Sequence, residues 1–109
     1  MNAIVTGPDR NLRDALEAQG VEVTTLEGVV TREDLLEAGV TEADLIVITD
    51  VGEASAVPVA RKDNPDIRVV IYDEETMPEF LRSQADLAVD PDLLDPETVA
   101  EELARNGDD

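Results

Sequence analysis

"AIVTGPDRNL", residues 3–12, decides how this 109-residue chain is read. A short aliphatic run, a glycine and then a polar helix start make the entry of a β-turn-α crossing, where a strand passes into a helix over a tight loop. The crossing predicts an alternating α/β fold, with any ligand at the glycine turn.

The alternation continues along the chain. Strand-like runs occupy Asn2–Thr6, Glu22–Leu26, Leu45–Thr49 and Ile67–Tyr72, with a weaker one at Leu87–Val89. Three of them, "AIV", "LIVI" and "VVIY", are continuously apolar, as strands covered on both faces require. Between the strands lie helical patterns. The first, about Asp9 to Gln19, carries Leu12, Ala15 and Leu16 on one stripe and stops at Gly20. Thr31, with Asp34 three residues later, opens the second, which stops at Gly39. The third follows Asp50 and ends before "NPD" at residues 64–66, with Pro58 either in its first turn or kinking it. "TMPE" (76–79) and "DPET" (95–98) each place a proline in the first turn of a further helix. The expected architecture is a three-layer, doubly wound parallel sheet of five strands, Rossmann-like, in the order 2-1-3-4-5. A single domain spans residues 1–105, and 106–109 form an acidic tail expected to be disordered.

Composition narrows the function classes. Eight basic residues, with Lys62 the sole lysine, face 27 acidic ones, for a net charge of −19. Such a chain repels nucleic acid and anionic membranes. Acid excess with lysine poverty resembles proteins of salt-accumulating halophiles and predicts loss of stability at low salt. No run approaches the ~18 apolar residues of a membrane span, so no membrane insertion and a cytoplasmic location are expected. Cysteine and histidine are absent, which closes disulfides, thiol nucleophiles and imidazole acid-base chemistry. Ser55 and Ser83 have no histidine to activate them, so the chain is expected not to be an enzyme. Aspartates 90, 92 and 95 read as turn and cap residues, not as a metal site.

In sheets of this order ligands bind beyond the carboxyl ends of strands 1 and 3. Here those ends are Gly7–Arg10 and Thr49–Glu53. A dinucleotide fingerprint would need glycine at 7, 9 and 12, and the chain has Gly7, Asp9 and Leu12. The Asp9 carboxylate can accept the helix's own free amides and would repel a phosphate. Arg10 and Arg13 make the opening segment a neutral island in an acidic chain, where an anion is least repelled. Glu27 lies twenty residues beyond Gly7, where such a fold places its ribose-binding acid. Gly7, Pro8, Asp9, Arg10 and Glu27 are the cofactor-binding candidates that these residues offer.

The pieces "LLEAGV", "EADLIVITD", "DNPDIRVV" and "QADLAVDP", in order between residues 35 and 91, together with the opening "AIVTG", are similar to the TrkA-N or RCK domain. The chain resembles a truncated, stand-alone member of haloarchaeal type. The resemblance implies a Rossmann-type domain with NAD(H) or ATP as ligand, Asp50 and Val51 in the loop beside the dinucleotide, a dimer, and a potassium transporter or other regulatory protein as partner. It also implies that a helix-strand unit between the first helix and "LLEAGV" has been deleted. On this basis the chain is a non-catalytic domain related to potassium transport regulation, with a degenerate phosphate loop and weakened or lost nucleotide binding. The alternative is a small nucleotide-sensing module that still binds NAD(H) or ATP. A minor alternative is a receiver-like signalling domain, since the strand order is the same and Asp50 follows the third strand. A receiver also needs an acidic pair after strand 1 and a lysine after strand 5, where this chain has "GPD" and Asp90.

Overall fold

The computed structural model describes residues 1–27, 30–53, 55–73, 79 and 83–106. Five parallel strands form one sheet: β1 (Asn2–Thr6), β2 (Glu22–Leu26), β3 (Leu45–Ile48), β4 (Arg68–Tyr72) and β5 (Leu87–Val89). Their order is β2-β1-β3-β4-β5. The β1–β2 register pairs Asn2 with Glu22 and Thr6 with Leu26, while Ala3 pairs with Leu45 on the other side. The described helices are α1 (Leu12–Ala18), α2 (Arg32–Glu37), α3 (Ala56–Asp63) and α4 (Pro96–Asn106).

Side chains alternate across a strand with period two, so a sheet covered on both faces must be apolar at every position. That is why the strands read as unbroken aliphatic runs. Ala3, Val5, Leu45, Val47, Val70 and Tyr72 face α1 and α4, where Leu12, Leu16, Val99 and Leu103 complete one core. Ile4, Ile46, Ile48, Val69 and Ile71 face the other way, against Leu35, Val40, Val57 and Ala60. The expected strand bounds differ from the observed ones only at Thr49 and Ile67, which flank their strands.

The helix signals are realised in detail. Thr31 and Asp34 form a reciprocal capping box: the Thr31 hydroxyl accepts the Asp34 amide at 3.2 Å, and Asp34 accepts the Thr31 amide at 3.0 Å. That backbone bond holds the Asp34 carboxyl below the usual carboxylate range. Arg32 reaches Asp63 of α3 through two bonds, 2.9 and 2.8 Å, pinning α2 to α3. Gly39 ends α2 with φ of +85°, the left-handed value that favours glycine. At α4, Asp95 accepts the Thr98 amide at 2.8 Å and Pro96 is the first helical residue. Thr31→Ala should cost about 1 kcal/mol, read as a lower urea midpoint with unchanged m-value.

Three expectations change. α1 starts at Leu12 and not at Asp9, because Arg10 and Asn11 take left-handed φ values of 50° and 66° and hold the chain outside the helix. Asn106 is the last residue of α4 and not part of a tail, while residues 107–109 lie outside the described set. The "TMPE" helix start also falls there, apart from Glu79. The deleted helix-strand unit is not required either. β2 is simply the sheet's outer strand beside β1, and α2 returns the chain to β3 on the far side of β1.

Candidate functional site

The strand order reverses at β1, so the crevice of this fold lies over the carboxyl ends of β1 and β3. Gly7 makes the first turn with φ of +101°. Its backbone is so close to the β3 exit that a Cβ there would stand 2.6 Å from Thr49 Oγ1 and 3.2 Å from the Asp50 amide nitrogen. The fully buried Thr49 hydroxyl lies 3.0 Å from the Thr6 carbonyl oxygen and also bonds the Pro8 carbonyl oxygen, tying the loop to β3.

Asp9 turns inward to the helix: its carboxylate accepts the Arg13 amide at 3.1 Å and its carbonyl accepts the Leu12 amide at 2.9 Å. A free amide at the start of α1 that could have met a phosphate is therefore already engaged. The left-handed turn at Arg10 sends its side chain back over the sheet. There the guanidinium Nε donates to the Thr49 carbonyl at 2.9 Å, and a terminal nitrogen stands 3.5 Å from Asp73 Oδ1. Asp73, the first residue after β4, is buried, and its other oxygen accepts the Val51 amide at 2.7 Å. Arg10 thus bridges the exits of β1, β3 and β4.

Asp50 folds onto its own loop, accepting the Gly52 amide at 2.8 Å. Asp90 does the same after β5, accepting the Asp92 amide at 2.8 Å. Tyr72, at the end of β4, donates to the Leu94 carbonyl at 2.9 Å and so anchors the turn that leads to α4. Burial, reinforced by the Asp95 charge and opposed by Arg10, raises the Tyr72 pKa, which keeps the phenol a neutral donor.

All seven sequence candidates lie at this end of the sheet. Gly7, Pro8, Asp9, Arg10, Asp50 and Val51 form the turn and its β3 counterpart. Glu27 follows Leu26, whose carbonyl accepts the Gly7 amide at 3.0 Å, and is exposed on the rim. Sequence reasoning missed Asp73. Its signal was present: an acid directly after the buried run "VVIY", on the strand next to β3, can only end up at this crevice.

The described residues offer a divalent cation little. No cluster of three or more metal-ligating side chains exists among the described residues, and the guanidinium on Asp73 would repel a cation. A dinucleotide is equally disfavoured, since Asp9, Asp50 and Asp73 crowd the turn where its phosphates would lie and Arg10 is committed to Thr49 and Asp73.

The profile of a family of unknown function, DUF7126, matches residues 3–103. The chain belongs to DUF7126. A search of the curated proteins finds no match. Among solved structures the DUF7126 chain is similar to an orphan response regulator of H. pylori (12% identity, TM-score 0.73, covering 96% of this chain and 94% of that one). It is also similar to a CheY-like response regulator receiver domain protein from Methanospirillum hungatei JF-1 (16% identity, TM-score 0.70, covering 98% and 93%). A third likeness is to an atypical orphan response regulator described with a phosphorylation-independent regulatory mechanism (13% identity, TM-score 0.71, covering 99% and 96%). At these identities the likeness shows the fold alone.

These findings overturn the resemblance to TrkA-N and RCK domains, and with it the NAD(H)-binding and potassium-transport expectations. The physical reason lies in the winding. The dinucleotide-binding order is 3-2-1-4-5-6, whereas the order 2-1-3-4-5 belongs to the flavodoxin-like and CheY-like sheets. The weakest sequence alternative, a receiver-like fold, is the one the structural comparisons favour. Among the described residues no helix is long and apolar enough to cross a membrane.

Proposed function

We propose that this DUF7126 chain is a non-enzymatic, receiver-fold module that acts through contacts with other proteins, and whose carboxyl-end site is latched by Arg10 instead of being switched by phosphoryl transfer. The observation that carries this is the Arg10 side chain spanning the Thr49 carbonyl and Asp73, with Asp73 in turn holding the Val51 amide.

Phosphoryl transfer is catalysed almost entirely by positioning and by cations that neutralise the charge on the transferred group. At this crevice the loop after β1 supplies Gly7, Pro8 and Asp9, and the position after β5 holds Asp90. A phosphoryl group on Asp50 would bring about −1.5 to −2 charges to a rim that already carries Asp9, Asp73 and Asp90. Among the described residues the cation placed to answer it, Arg10, is engaged on Asp73. The fold likeness to an atypical regulator described as phosphorylation-independent supports the same direction. The acidic composition suits a cytoplasm of high salt.

Incubating the protein with acetyl phosphate and magnesium in molar KCl should leave its intact mass and its amide spectrum unchanged. A hydroxylamine-sensitive phosphoryl adduct that disappears in Asp50→Asn would overturn the proposal.

A further inference from the structure

We propose that the groove between β5 and α4 docks a cationic segment of a partner protein, which inserts one large apolar side chain between Leu87 and Leu94. The inference rests on the reading of the chain as a contact module but not on the Arg10 latch, which lies at a different part of the molecule.

The groove follows from how α4 packs. Val99, Ala100 and Leu103 turn toward Leu12, Ala15 and Leu16 of α1, so α4 leans over the middle of the sheet. Leu87 and Val89 point to that same face by the two-residue period of β5, but β5 is the last strand, and Val89 is buried against the α4 cluster while Leu87 stays exposed. Leu87, Val89, Leu94, Val99 and Glu102 are left lining a cavity of about 160 Å³. Of the four large hydrophobic side chains exposed among the described residues, two line this groove, Leu87 and Leu94.

Size and charge choose the occupant. Small-molecule sites run from about 300 Å³ upward, so this groove suits a single anchoring side chain and not a metabolite. Residues 86–105 hold seven acids against Arg105, and that arginine is already paired with Glu101 and Glu102 at 3.1 and 3.2 Å. A second copy would bring the same acidic rim against this one, and an anionic membrane would be repelled in the same way. A basic segment meets complementary charge, with Glu102 at the wall of the groove.

The test uses the full chain, isotopically labelled, and a fluorescent synthetic peptide with leucine and lysine at helical spacing. A control peptide carries serine in place of every leucine. Amide shifts should concentrate on residues 87–99 with the leucine peptide and not with the serine one. Leu87→Ser combined with Leu94→Ser should weaken binding about tenfold at an unchanged melting temperature. Should the double variant unfold, Glu102→Lys reverses the charge of an exposed side chain at the groove wall and should still weaken binding several-fold. Equal affinity in both variants, or shifts spread evenly over the acidic surface, would refute the groove. So would a dimer of the chain that is lost in the double variant, since it would make the occupant a second copy. None of these outcomes bears on Asp50 phosphorylation, so the two proposals fail separately.

Discussion

Asp73→Ala is expected to lower the unfolding free energy by about 3 kcal/mol and to loosen the loop after β3. Two partners among the described residues lose their acceptor at once. The Val51 amide, bonded at 2.7 Å, belongs to a buried residue, and an N–H left unsatisfied there costs about 1–3 kcal/mol. Arg10 loses the carboxylate beside it. Breaking a buried ion pair by removing one partner costs about 3–5 kcal/mol, but the Arg10 side chain is 32% exposed and its contact is long at 3.5 Å, so only a small part of that applies here. Asp73→Asn keeps an oxygen for the Val51 amide and should lose only about 1 kcal/mol. Urea unfolding in molar KCl measures both losses. Hydrogen exchange at residues 51–53 should rise in the alanine variant alone. Equal losses in the two variants would mean that the carboxylate charge, and not the amide bond, holds the crevice.

That crevice marks where the sequence stops being legible. The five strands could be read because a parallel sheet buried on both faces leaves no polar position, and "LIVI" or "VVIY" can hardly be anything else. The helix starts could be read because Thr31, Asp34, Asp95 and Pro96 act over three or four residues. The start of α1 was misread because left-handed conformations at Arg10 and Asn11 cost little enough that composition does not announce them. The Arg10 to Asp73 contact spans 63 residues and depends on that turn, so no local pattern encodes it. The mistaken resemblance has the same origin. "EADLIVITD" and "DNPDIRVV" express what any buried parallel strand with a polar turn must contain, so they report the layer architecture and not the lineage. What separates the two lineages is the third strand, which lies beyond β2 in the dinucleotide-binding order and beside β1 here, and the order 2-1-3-4-5 expected from the sequence already carried that difference.

Gly7→Ala should be the other severe change, at roughly 3 kcal/mol. A left-handed φ of +101° strains any residue with a Cβ, by about 1–3 kcal/mol. The new methyl would also stand 2.6 Å from Thr49 Oγ1 and 3.2 Å from the Asp50 Cβ and amide nitrogen. Thr49 cannot swing aside as an exposed side chain would, because it is fully buried and its hydroxyl is tied to the Thr6 and Pro8 carbonyls. Overpacking of this kind adds about 1–3 kcal/mol, less whatever the loop relaxes. The two contributions separate in a double-mutant cycle. Thr49→Ala alone should destabilise by loosening the loop after β1. Combined with Gly7→Ala it should cost less than the sum of the two single changes, because the hydroxyl that the methyl strikes is gone while the φ strain and the Asp50 contact persist. Additive losses, measured by urea unfolding at fixed salt, would show that the turn yields to the methyl and that backbone conformation alone requires glycine at this position.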